Sequence, residues 1–120
     1  MSTIEIISED KRGWMKKLTL NNGDIFWISF TKKGFARGGD IHDGRQYDTI
    51  IRGQFLVKQH FPEDIEMLKV IITGDSIIIP AGIPHVFIAM EDTEMIEWHD
   101  DKLPPFDQKK YYEPYRKLCR

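Results

Sequence analysis

Gly74-Asp-Ser-Ile-Ile-Ile-Pro80-Ala-Gly82-Ile-Pro84-His85 is the stretch on which the fold turns. A glycine turn feeds a short apolar strand, and Pro80 and Gly82 make a second turn. His85 then opens another apolar run, V-F-I-A-M. Such a turn cannot bury its own backbone, so it belongs at the rim of a sheet. Side chains alternate along a strand, so His85 points inward when Val86, Ile88 and Met90 face the other way.

About thirty residues upstream lies a second ordered set: Gly34, Asp40, His42, Gln46 and Gly53. Asp40 and His42 are two apart and share a strand face. The spacing G-x5-P-x-G-x2-H matches the second signature of the cupin family. The earlier set keeps every spacing of the first signature, G-x5-H-x-H-x3-E-x6-G, with Asp40 at the first histidine and Gln46 at the glutamate. The chain therefore resembles a cupin from Gly34 to about Met90. The resemblance implies an all-β, single-domain, double-stranded β-helix (a jelly-roll barrel) with a short C-terminal extension. Residues 1–33 supply N-terminal strands, 34–99 the barrel and 100–120 a C-terminal arm, all in one domain.

The rest of the chain agrees with many short strands. N-N-G-D at 21–24, T-K-K-G at 31–34 and F-P-E-D at 61–64 are turn signals between β-rich runs. Ile4 to Ile7 reads as an edge strand. From 101 the character changes: L-P-P-F and then Y-Y-E-P-Y-R-K-L read as an extended arm with a short helical turn. About ten short strands in one domain suit a jelly roll or a small closed barrel.

Composition narrows the function classes. A formal charge of −2 gives no basic footprint for nucleic acid. One cysteine, Cys119, allows no disulfide within the chain, so a reducing, cytoplasmic setting is expected. The acidic start M-S-T-I-E-I-I-S-E-D does not read as a signal peptide, and no apolar run is long enough for a bilayer.

The resemblance implies that Asp40, His42, Gln46 and His85 converge inside the barrel. Imidazole, carboxylate and amide oxygen are ligands for a divalent metal such as Mn, Fe, Ni or Zn. Each has a plainer reading beside it. Asp40 can cap a turn after Gly38-Gly39, and Gln46 can satisfy a buried backbone group. His60 and His99, near strand ends among charges, read as surface or hydrogen-bonded residues.

D-K-R-G at 10–13, Arg37-Gly38, and P-A-G-I-P-H-V-F-I-A-M-E-D-T ahead of Tyr111-Tyr112-Glu113-Pro114 look like a narrower group. That group is the nucleotide-sugar cupins: the dTDP-4-dehydrorhamnose 3,5-epimerases and dTDP-4-keto-6-deoxyglucose 3,4-ketoisomerases. This similarity implies an isomerase or epimerase of a nucleotide-linked keto-sugar, working by proton abstraction next to a carbonyl. His42, Asp40 and Tyr47 would be catalytic; Arg37, Arg12 and His85 would bind substrate. Tyr47 has the alternative of a strand tyrosine packed on its neighbour. A metal-dependent dioxygenase or isomerase, and a non-catalytic ligand-binding cupin, are the competing functions. A homodimer is expected, since small barrels expose sheet edges that a partner covers.

Overall fold

Alternation of apolar and polar residues, broken by glycine turns, folds the chain into two antiparallel sheets. The computed structural model describes residues 1–100 and 110–120. The expected L-P-P-F arm at 103–106 lies outside the described residues. The strands are β1 (Thr3–Asp10), β2 (Gly13–Thr19), β3 (Ile25–Thr31), β4 (Ala36–Ile41), β5 (Gln46–Arg52) and β6 (Gln54–Phe61). They continue with β7 (Ile65–Ile72), β8 (Ser76–Ile79), β9 (His85–Ala89), β10 (Thr93–His99) and the short β11 (Lys110–Tyr111). A single helical turn, α1 (Glu113–Arg116), and a 3-10 turn over Lys117–Cys119 follow.

One sheet runs β1-β2-β3-β10-β5-β8 and the other β11-β4-β9-β6-β7. Neighbours far apart in sequence, such as β3 and β10 or β4 and β9, give the jelly-roll crossing pattern. The architecture is the expected all-β jelly roll.

The space between the sheets is divided along its length. At one end, Ile50, Phe55, Val57, Ile71, Ile77, Ile79, Phe87, Ala89 and Met95 form the apolar core. Each of these side chains other than Ala89 contributes about 1.5–3 kcal/mol by leaving water. Toward the other end the inward positions turn polar: Gln46 and Asp48 on β5, Glu97 and His99 on β10, His85 on β9. A second apolar cluster lies on the outer face of β4 and β9, where Ala36 and Val86 are covered by Tyr115 and Cys119. The C-terminal segment is thus a lid on the back of the site-bearing sheet.

The register of β4 against β9 carries one irregularity. Arg37 pairs with Phe87 and Gly38 with Val86, but Asp40 pairs with His85, leaving Gly39 bulged out. Gly38 and Gly39 both have positive φ, +97° and +71°, which glycine adopts without penalty. A bulge of this kind re-aims the side chains that follow it.

Candidate metal centre

Arg37 and Asp40 are three residues apart, so on a regular strand they would face opposite sides. The Gly38-Gly39 bulge shifts the phase, and both side chains end inside the barrel, buried. His42 follows on the same face. His85 arrives from β9 as the direct partner of Asp40. The two imidazoles expected to meet do so, with ring centres 5.3 Å apart.

Asp40 Oδ1 lies 3.2 Å from His85 Nε2 and 3.6 Å from His42 Nε2. One ligand atom from each of Asp40, His42 and His85 falls within 4.8 Å of the others, so the three form a group that can hold a metal ion. The tautomer suits this. His85 Nδ1 donates to the Ile83 carbonyl at 2.9 Å, so Nε2 is the nitrogen turned toward Asp40 Oδ1. A carbonyl holding the far nitrogen is the usual support for a metal-ligating histidine.

Burial depresses His42 to about 4, against the opposing pull of Asp40, so its ring is neutral near pH 7. For His85, burial also favours the neutral ring. The Asp40 carboxylate and the Ile83 carbonyl outweigh it, and the group sits above the ordinary histidine value.

Beside the triad is a buried polar chain. Gln46 Nε2 donates to Asp48 Oδ2 and to Glu97 Oε1, both at 2.9 Å. Glu97 Oε2 also accepts from His99 Nε2 at 2.8 Å, and the His99 ring meets His42 edge-on at 4.7 Å. Asp48 is pushed well above the carboxylate range, by burial and then by the Glu97 charge, so it keeps its proton. Burial pushes Glu97 up too, but His99 outweighs it and Glu97 stays ionised. An amide at 46 bridges two acid side chains; a glutamate there would add a third. Gln46 Oε1 remains buried without a hydrogen-bond partner.

The remaining candidates divide. Arg37 and Arg12 line the same small cavity as Asp40, Gln46 and Glu97. Tyr47 does not. It neighbours the buried Gln46 and Asp48, so it projects from the opposite face of β5 and stacks on Trp98 at 5.5 Å, nearly parallel. The catalytic expectation for Tyr47 is therefore corrected, and its packed-tyrosine alternative describes it. Of the two readings for His99, the hydrogen-bonded one describes it and the surface one does not: its side chain is only 2 % exposed and pairs with Glu97 in the interior network. His60 behaves as a surface histidine, 3.2 Å from Asp64 and stacked on Tyr112.

Sequence reasoning missed Glu97, His99, Asp48 and Arg116. The first three carry a signal in alternation: Thr93, Met95, Glu97 and His99 share a face, as do Gln46, Asp48 and Ile50. Arg116 has no local signal, because only the docking of α1 brings it to the cavity.

The fold has close counterparts among solved structures. The S161A mutant of Bacillus subtilis oxalate decarboxylase OxdC superposes with a TM-score of 0.80 at 19% identity, over 92% of this chain and 32% of that one. Another structure, of the Mn(II)-containing oxalate decarboxylase from the same organism, gives 0.80 at 20% identity over the same shares. CapF, solved with the inhibitor 3-isopropenyl-tropolone, gives 0.74 at 16% identity over 92% and 34%. This is a cupin fold. The chain spans about a third of the length of these solved cupins. No protein-family model matches the sequence, and no curated protein does. Among the described residues, no helix is long and apolar enough to cross a membrane.

Proposed function

We propose that this cupin binds a divalent transition metal at Asp40, His42 and His85 and uses it to act on a small organic molecule. The convergence of those three side chains within 4.8 Å carries the reading. A neutral imidazole at His42, a second at His85 that must give up its proton to bind, and a carboxylate suit manganese, iron, nickel or zinc, and a metal there would supply Lewis acidity. Gln46, with an unused amide oxygen, is the candidate for a further ligand.

The metal-free alternative is proton abstraction from a nucleotide-linked keto-sugar, with His42 as base and Arg37 on phosphate. Two observations weigh against it. A group held near 4 is a weak base at neutral pH. The cavity of about 60 Å³ admits only the reacting end of such a substrate.

Tag-free protein, incubated in turn with Mn²⁺, Fe²⁺, Ni²⁺ and Zn²⁺ and dialysed, tests the proposal by elemental analysis. One of these ions should stay bound at about one per chain in the wild type and be lost in His85→Ala. Sub-stoichiometric metal in every case would remove the reading.

A further inference from the structure

Three arginines from three segments line the cavity: Arg12 in the β1–β2 turn, Arg37 on β4 and Arg116 on α1. Their charges are answered differently. Arg12 pairs with Asp10 at 2.9 Å. Arg37 is only 5 % exposed, and it donates to Thr31 Oγ1 at 2.7 Å and the Phe30 carbonyl at 3.1 Å. Both acceptors are neutral. Arg116 Nη1 donates to the Gly38 carbonyl at 2.9 Å, and its guanidinium lies over the Tyr111 ring at 4.5 Å. Among the described residues, neither Arg37 nor Arg116 has a carboxylate within ion-pair distance. Asp10 acts on Arg37 only from beyond ion-pair distance, and a guanidinium buried against neutral acceptors with its charge only partly answered is costly unless an anion joins it. Burial and the neighbouring Arg12 lower Arg37 to about 10, yet it stays charged at neutral pH.

The other walls define what the anion carries. Phe87, Met95 and Met15 are apolar, and Asp40, Gln46 and Glu97 also line the cavity. The cavity of about 60 Å³ holds a few waters or a ligand of a few heavy atoms. Inorganic phosphate would satisfy the guanidiniums and leave the apolar wall in contact with water. A short carbon chain ending in a carboxylate answers both: the guanidinium fork takes the carboxylate and the hydrocarbon lies on Phe87 and Met95.

We propose that the cavity takes a small organic carboxylate, gripped by Arg37 and Arg116 and reaching toward Asp40, the member of the proposed metal group that lines the cavity. The inference rests on the metal reading for the far end of the ligand only; the arginine grip stands apart from it. It also assigns the C-terminal helical turn to the ligand site, since Arg116 reaches the cavity only while α1 is docked.

Calorimetric titration of the whole chain with malonate, with and without bound Mn²⁺, tests this. Malonate should bind, and Arg116→Ala and Arg37→Lys should each weaken it at least tenfold while Mn²⁺ affinity stays within twofold. Arg116 is half-exposed, so Arg116→Ala carries the test where Arg37→Lys fails to fold. No malonate binding to Mn²⁺-loaded protein would overturn the inference and leave the metal reading standing. Malonate binding that both arginine variants retain would overturn it as well. So would inorganic phosphate binding more tightly than malonate. Malonate bound through the arginines in a chain that takes no Mn²⁺ would instead support the grip and remove the metal.

Discussion

Replacing Gly39 by alanine should undock the C-terminal helix, and the cost can be worked from the coordinates. A Cβ at Gly39 would sit 2.6 Å from Arg116 Cα, 2.7 Å from Arg116 N and 3.0 Å from Tyr115 C. All three are backbone atoms, so no side-chain rotation relieves the clash. Restoring ordinary contact requires α1 to retreat by about 1 Å. That movement breaks the Tyr112 N–H bond to the Gly39 carbonyl and the Arg116 bond to the Gly38 carbonyl. It also exposes Tyr115 and Cys119, which are 4 % and 6 % exposed on the outer face of β4. Alanine at φ +71° adds backbone strain. Strain of about 1–2 kcal/mol and lost tyrosine burial of about 2 kcal/mol together predict a loss of about 3–4 kcal/mol. For a domain of this size that is a fall in Tm of about 10–20 °C. Gly34→Ala is the control: φ is +88° but nothing lies within 4 Å of its Cβ. It should cost the strain alone, about 1–2 kcal/mol. Cys119 is the chain's only cysteine, so its rate of reaction with a thiol reagent reports helix docking directly. Gly39→Ala should speed that reaction strongly and Gly34→Ala should not. Equal melting temperatures and equal thiol rates in the two variants would refute the close-approach argument.

Three further outcomes are expected. In metal-free protein, NMR titration should place the His42 midpoint at about 4. The unfolded chain then binds more protons than the native one between about 6.5 and 4, so His42 makes stability fall as pH drops through that window, by roughly 3 kcal/mol in all. A midpoint near 6.5 would contradict its burial. Gln46→Glu removes the amide N–H donors and sets a third acid against Asp48 and Glu97. It should cost roughly 3 kcal/mol in urea unfolding of metal-free protein, partly restored by Mn²⁺, and unchanged stability would rule out the bridging role. Finally, Ile4 and Ile6 on edge strand β1 are 67 % and 64 % exposed. We infer a homodimer that covers such an edge; sedimentation showing a monomer at 100 µM protein would dismiss it.

The sequence was legible where a local rule had one solution. Gly74, Pro80, Gly82 and His85 specify two turns and the histidine between strands, and the fold follows from placing them. The convergence of Asp40, His42 and His85 was readable because spacing and strand alternation agreed. The same alternation excludes Tyr47 from the interior: with Gln46 inward, its neighbour on β5 must face out. His99 was obscured because a strand end flanked by Glu97 and Asp100 looks solvated. Its partner is Glu97, two residues away on the same inner face, so the charge that suggested exposure is the one that accompanies it inside. Arg116 could not be read at all, since its place depends on α1 crossing the outer face of β4.

The Gly38-Gly39 pair joins these threads. A regular β4 could turn Arg37 inward or Asp40 inward, but not both, and a barrel with either alone lacks half of the polar cavity. One bulged residue puts the Arg37 cation and the Asp40 carboxylate on the same side. The two carbonyls it turns outward then accept from Tyr112 N–H and Arg116. The same backbone irregularity therefore aims the inner site and anchors the outer helix that returns an arginine to it. Gly39→Ala should for that reason weaken malonate binding more than Mn²⁺ binding. The proposed metal ligands stand on β4, just past its end and on β9, whereas the arginine depends on a helix that the new methyl group pushes away. Equal loss of both would mean that the bulge, not the helix, is what the substitution disturbs.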